Sequence, residues 1–284
     1  CFGEFGSNLY AGTMTGLPYS GIGEVWRYNG DANWTRVGTN LRSQVCALTV
    51  FNGVLYAGAG TFNVGNDGTL YRYNGGTSWT EVVGSGDGAI HYSYPWQGFR
   101  SLYVFNNVIY VGSLMYDLFG RYDGTTSFTE DYFDGMGSCI WDFQAFGSNS
   151  NLYASADLRR IYKWNSVTNT WSIVCDYGSY YGQCFWELET FGIWLFVADG
   201  PRLQRYNGSA FEPVITSPIW TTTDGEDIIS MYTDGSFLVI GTGGEAGSEY
   251  ANNGAGRIYR YDGTQVESIS GNLGGQGIQC LIRH

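Results

Sequence analysis

Leu9-Tyr-Ala-Gly12 returns as Leu55-Tyr-Ala-Gly58, then as Ile109-Tyr-Val-Gly112, Leu152-Tyr-Ala-Ser155, Leu195-Phe-Val-Ala198 and Leu238-Val-Ile-Gly241. The copies lie 46, 54, 43, 43 and 43 residues apart. A second signature follows each of them: Trp26-Arg-Tyr-Asn-Gly30, Tyr71-Arg-Tyr-Asn-Gly75, Gly120-Arg-Tyr-Asp-Gly124, Tyr162-Lys-Trp-Asn-Ser166, Gln204-Arg-Tyr-Asn-Gly208 and Tyr259-Arg-Tyr-Asp-Gly263. A third element comes soon after, as Trp34-Thr35, Trp79-Thr80, Phe128-Thr129, Trp171-Ser172 and Phe211, fading to Val266. Ahead of each first element runs another apolar stretch, such as Cys46-Ala-Leu-Thr-Val-Phe51. Each unit therefore holds four short β-rich runs separated by Gly, Asn and Asp turns. The Asn-Gly and Asp-Gly pairs suit hairpins, because both central positions accept a positive φ. Six such units predict an all-β, six-bladed β-propeller, with four antiparallel strands per blade. It occupies residues 1–284 as one domain, with second strands starting at about residues 9, 55, 109, 152, 195 and 238.

The composition agrees. Of 284 residues 43 are glycine, roughly twice ordinary usage, as a turn-rich chain needs. Aromatic residues make up 17%, which excludes a disordered linker. A net charge of −12, without a basic cluster, argues against nucleic acid and anionic membranes as partners. Apolar runs are too short for a spanning helix, so no membrane insertion is expected. Lys163 is the only lysine among 14 basic residues.

Ile161-Tyr-Lys-Trp-Asn-Ser-Val-Thr-Asn-Thr-Trp-Ser172 resembles the third and fourth strands of a kelch blade, and the resemblance runs in weaker form through all six units. The chain lacks the Gly-Gly doublet that kelch blades carry after the second strand. Its Tyr-Asn-Gly-x-x-x-Trp-Thr tracts also look like Asp-box or tectonin repeats, without the Ser-x-Asp-x-Gly order. The resemblance implies a kelch-like or lectin-like extracellular propeller and specifies architecture, not activity.

Cys280-Leu-Ile-Arg-His284 aligns with the first-strand run at Cys46, as does Cys1-Phe-Gly-Glu-Phe5. Both termini are thus expected to supply strands to blade 1 and to close the ring. A Cys1–Cys280 disulfide across the closure and a local Cys175–Cys184 disulfide are expected, with Cys46 and Cys139 left over. The alternative is six reduced core thiols. Scarce lysine, abundant Tyr, Asn, Thr and Gly, and a start at Cys1 without Met are read as a secreted or cell-surface protein that has lost its signal.

Fourth-to-first connections and second-to-third turns share one face of a propeller, and here they are long and unequal. The connection from Gly84 to Gly98 carries His91, Tyr92, Tyr94 and Trp96. Later connections hold Asp131, Tyr132, Phe133 and Asp134, then Asp176, Tyr177, Tyr180 and Tyr181, then Trp220, Asp224, Glu226 and Asp227. Second-to-third turns add Tyr19, Phe62, Tyr116 and Tyr250. Aromatic rings offer a flat apolar surface to the C–H face of a sugar, and carboxylates and amides engage its hydroxyls. Carbohydrate or another surface ligand is the expected partner, though the same tyrosines would also serve as packing over the blade tops. The alternative is a polysaccharide lyase or glycoside hydrolase. Its candidates are His91, Tyr92, Tyr94 and Arg100 for proton abstraction, or Asp142 and Glu187 as paired carboxylates. No cofactor is expected, with Ca²⁺ at converging first-strand carboxylates as the exception. A third reading is an oligomeric subunit of an extracellular assembly. The repeated Arg27, Arg72, Arg121, Lys163, Arg205 and Arg260 are expected to lie over neighbouring aromatics or to pair with Glu81 or Glu130.

Overall fold

The four runs of each of the six units are strands, at or close to the positions read from the sequence. The computed structural model describes residues 1–15, 21–60, 68–84, 98–114, 118–125, 128–132, 139–147, 151–178, 184–214, 227–243, 256–271, 273 and 277–282. Blade 1 comprises β1 (Phe2–Phe5), β2 (Asn8–Thr15), β3 (Ile22–Gly30) and β4 (Asn33–Gly38), and blade 2 comprises β5 (Val45–Phe51), β6 (Val54–Ala59), β7 (Thr69–Gly75) and β8 (Ser78–Val83). Blade 3 is β9 (Phe99–Phe105), β10 (Val108–Ser113), β11 (Leu118–Tyr122) and β12 (Phe128–Tyr132). Blade 4 is β13 (Ile140–Phe146), β14 (Asn151–Ala156), β15 (Arg160–Asn165) and β16 (Thr170–Asp176). Blade 5 is β17 (Phe185–Phe191), β18 (Trp194–Asp199), β19 (Arg202–Tyr206) and β20 (Phe211–Pro213), and blade 6 is β21 (Asp227–Thr233), β22 (Leu238–Gly243), β23 (Arg257–Tyr261) and β24 (Val266–Ser268). Each blade is a four-stranded antiparallel meander paired in sequence order. The chain is all-β, a six-bladed β-propeller, and no helix occurs among the described residues. It divides within β13 into two compact units, residues 1–141 and 142–283.

Within each unit the repeated residues have separate physical duties. Leu55, Ile109, Leu152, Leu195 and Leu238 are fully buried blade cores. The tyrosine after the leucine joins neighbouring blades: Tyr10 meets Phe5 and the third-strand Tyr73, and Tyr153 meets Phe146 and Tyr206. Such edge-on aromatic pairs add about 0.5–1.5 kcal/mol each beyond area burial. The third signature explains itself across the last hairpin, where Tyr28 lies opposite Trp34, Tyr73 opposite Trp79, and Tyr206 opposite Phe211.

Gly ends the first motif because the next first strand crosses there. A Cβ on Gly58 would lie 2.9 Å from the Phe99 carbonyl oxygen, and one on Gly112 would lie 2.7 Å from Ile140 Cγ2. At these two positions a side chain would force its neighbours to shift.

Three expectations are corrected. β1 supplies the inner strand of blade 1, but among the described residues the tail 277–282 forms no strand. Instead it is tied to blade 6: Ile278 N donates to the Thr242 carbonyl, and Ser230 Oγ donates to the Ile278 carbonyl. Ile278 also crowds Gly241 as Ile140 crowds Gly112, so the tail docks where a following first strand would. Neither expected disulfide is formed, since Cys175 and Cys280 are both thiols. Cys175 faces Ile161 in the sheet, whereas Cys184 bridges to Asp157, which gives the Cys175–Cys184 pair different backbone partners. Finally, β12 runs through Asp131 and Tyr132, which had been assigned to a connection.

Candidate functional site

The described part of the loop face converges in the second unit, around the short β14–β15 turn. Leu158 and Arg159 both take positive φ there, 57° and 53°. Two successive left-handed residues without glycine are unfavourable by about 1 kcal/mol or more each and concentrate at functional positions. The turn aims Arg159 at Asp199, the last residue of β18. Arg159 Nε and Nη2 donate to the two Asp199 carboxylate oxygens at 2.7 and 2.6 Å, a bidentate pair. Asp199 is 6% exposed, so the pair is essentially out of water.

Gln204 on β19 completes the arrangement. Its Nε2 donates to Asp199 Oδ2 at 2.5 Å, and its Oε1 accepts from the Tyr177 hydroxyl at 3.4 Å. Tyr177 follows β16, and its backbone N–H donates to the Arg159 carbonyl. A fourth-to-first connection thus meets a second-to-third turn. The Arg159 guanidinium lies 4.7 Å over the Tyr177 ring, which stays 47% exposed. Phe185 and Phe211 meet Tyr177 edge-on and fix its tilt.

Asp227 opens β21 beside this group. Burial, reinforced by the Asp199 charge, raises its carboxyl to about 6. A Cβ on Gly200 would stand 3.3 Å from Asp227 Oδ1, so the bare turn at Gly200 leaves the carboxyl room. Burial likewise pushes the neighbouring Cys175 thiol to about 11, too high for a nucleophile near neutral pH. At the rim, Arg160 pairs with Asp176 at 3.2 Å. The cluster can present a flat aromatic face, an amide and a carboxyl of adjustable protonation to a polar ligand.

Of the residues expected to act, Tyr177 and Asp227 belong to this cluster. Arg100 lies in the other unit, over the Trp141 ring at 5.1 Å and hydrogen-bonded to the Cys46 thiol. Asp142 Oδ2 accepts the Leu188 N–H at 2.9 Å, a tie between adjacent first strands. Glu187 sits in the β-bulge between Phe185 and Leu188, half-buried. Among the described residues no group of three His, Cys, Asp or Glu side chains is placed to hold a metal ion. His91, Tyr92, Tyr94, Trp96, Asp134, Tyr180, Tyr181, Trp220 and Asp224 lie outside the described residues, as do Tyr19, Phe62, Tyr116 and Tyr250. Tyr132 is described through its backbone alone, in β12. The sequence reading missed Arg159, Asp199 and Gln204. The available signal was an acid directly after the buried Leu195-Phe-Val-Ala198 run, opposite the one short second-to-third turn that carries two arginines.

No protein-family model matches the sequence, and no curated protein matches it. Solved structures share the fold. The extracellular domain of the one-component system BT4673 from B. thetaiotaomicron superposes with a TM-score of 0.60 at 11% identity, over 98% of this chain and 36% of that one. The WD40 β-propeller domain of Doa1 gives 0.58 at 12% identity over 97% and 82%. YCF48 bound to D1 peptide gives 0.51 at 12% identity over 81% and 74%. At such identity the likeness shows the propeller fold alone. The chain spans about a third of the BT4673 domain.

Two third-strand arginines act as structural braces. Arg205 lies 4.1 Å over Trp194 and pairs with Glu212, and Arg260 lies 4.8 Å over Phe237 and pairs with Glu267. Glu81, expected beside Arg72, pairs instead with Arg42.

Proposed function

We propose that this chain is an extracellular ligand-binding propeller that takes carbohydrate through the Tyr177–Asp227 end of blades 4 to 6. The carrying observation is the Tyr177 ring: exposed to solvent, yet held by Arg159 behind it and Gln204 at its hydroxyl. A rigid aromatic platform beside hydrogen-bonding groups loses little entropy when a sugar stacks on it. The same geometry favours binding over hydrolysis. Asp199 is committed to Arg159 and Gln204, which removes it as the partner of Asp227 in a two-carboxylate mechanism. The scarcity of lysine and the kelch-like and lectin-like tracts support the extracellular setting, and the BT4673 neighbour is an extracellular domain.

A glycan array on the intact chain tests this, followed by titration of the best ligand against Tyr177→Ala. Loss of about tenfold or more in affinity is expected, or about 1.4 kcal/mol. An array without binders, or a folded Tyr177→Ala protein with full affinity, sinks the reading. Product analysis after incubation with acidic and neutral polysaccharides is expected to show unchanged chain length.

A further inference from the structure

The hairpin ends of blades 4 and 5 opposite the Arg159 turn enclose a cleft of about 690 Å³, a size that suits a small ligand. Two departures from the repeat meet in it. The first is Lys163, which replaces the arginine of the other blades. Across the last hairpin Lys163 faces Ser172, as Arg27, Arg72 and Arg121 face Thr35, Thr80 and Thr129, whereas Arg205 and Arg260 face Glu212 and Glu267. None of the ion pairs among the described residues includes Lys163, whose ammonium rests 5.7 Å from the Tyr153 ring centre. The second departure is Ile193. In the same first-hairpin turn, blades 1, 2 and 3 carry Ser7, Gly53 and Asn107, and Ile193 is 79% exposed at the cleft wall.

The remaining polar groups are mostly donors. Asn207 has its Oδ1 occupied by Ser209 N, Ser209 Oγ and Ala210 N, which leaves its Nδ2 to face a ligand. Thr190 Oγ1 accepts from Gln144 Nε2 at 3.0 Å, and its side chain also hydrogen-bonds the Glu189 carboxylate. Asn151 adds another amide to the wall. An ammonium outside every ion pair among the described residues, amide N–H donors and one apolar patch call for a partner rich in acceptors, negatively charged and apolar on one side. A hexuronate meets all three conditions: a carboxylate, hydroxyl lone pairs and a C–H face.

We propose that this cleft is a second binding site, for a carboxylate-bearing sugar, with Lys163 as the anchor for its carboxylate and Ile193 as the platform for its C–H face. The site is separate from the Tyr177 cluster and stands or falls independently of it. Reductive methylation with ¹³C-formaldehyde tests it, since the chain has one lysine and methylation keeps the charge. The dimethyl-Lys163 NMR signal is followed while D-glucuronate or D-galacturonate is added, with D-glucose, D-galactose and sodium chloride as controls. A saturable shift with the uronates alone is expected. Unmethylated Lys163→Gln is expected to lose uronate binding by calorimetry, and Ile193→Ser to weaken it about tenfold. No saturable shift with either uronate, or an equal shift with neutral sugars or chloride, overturns the proposal on the native sequence, whatever the variants do.

Discussion

Arg159 is the charge partner of the buried Asp199, with the Gln204 amide on the carboxylate and the Tyr177 and Phe185 rings against the guanidinium. Removing one partner of such a pair costs about 3–5 kcal/mol, because the other charge stays behind without water. Arg159→Ala should therefore lower the urea midpoint severely, and adding Asp199→Ala should recover much of the loss. Equal stability of Arg159→Ala and the parent would contradict the geometry. Asp227 predicts the opposite sign. Its folded carboxyl titrates near 6 instead of 3.8, so the folded state holds a proton that the unfolded chain releases. The stabilisation is full below about pH 4 and is lost as pH rises through 6. Asp227→Asn removes the cost of ionising it and should stabilise by about 1–2 kcal/mol at pH 8 and by almost nothing at pH 4. Denaturant curves at the two pH values check this. Tyr177 and Asp227 were legible in the sequence because they stand among aromatic and acidic residues in the long connections outside the repeated motifs. Arg159 and Asp199 were not. One sits in a short turn, the other ends a buried strand, and only their pairing gives either a meaning.

At the scale of the strand, the last residue of Leu-Tyr-Ala-Gly controls how near the next blade can come. Gly58→Ala places a methyl 2.9 Å from the Phe99 carbonyl oxygen and should destabilise by about 1–3 kcal/mol, the usual cost of overpacking. Gly30→Ala meets nothing within 4 Å and bears only its φ of +93°. Its loss should be about 1 kcal/mol, the cost of a left-handed alanine. Thermal unfolding of both variants separates crowding from backbone strain, and equal losses would refute the close-approach reading. The strands were readable because six copies average out local ambiguity. The pairing of Tyr73 with Tyr10 in the next blade was not, since no periodicity along one chain encodes a contact between repeats.

Across the blades of the second unit, Glu189 on β17 gathers adjacent inner strands. It accepts from Gln144 Nε2 on β13 and from its neighbour Thr190 N, with Thr233 N on β21 also donating. Burial still dominates and raises its carboxyl to about 7. Together with Asp227 this contributes stability at pH 5 that is lost by pH 8, the reverse of carboxylates held ionised by ion pairs. Glu189→Gln should flatten the pH dependence between 5 and 8, as followed by melting temperature, and an unchanged slope would show that the proton resides elsewhere. Blade number and strand order could be read from the repeats because they are written six times. The tail was misread because its resemblance to Cys46-Ala-Leu-Thr-Val gives it a first strand's docking position on blade 6, but a docking position does not compel strand pairing.

The scarcity of lysine has a practical side. Lys163 is the only lysine side chain and lies in the blade 4–5 cleft. Any surface, dye or crosslinker that couples through a lysine side chain will attach to this chain there. A sensor chip prepared that way displays every molecule in one orientation, with the Tyr177 end turned outward and the cleft sealed. Biotin introduced at an added terminal tag would leave both open, and the difference in ligand capture between the two preparations would map which end of the blades a given ligand uses.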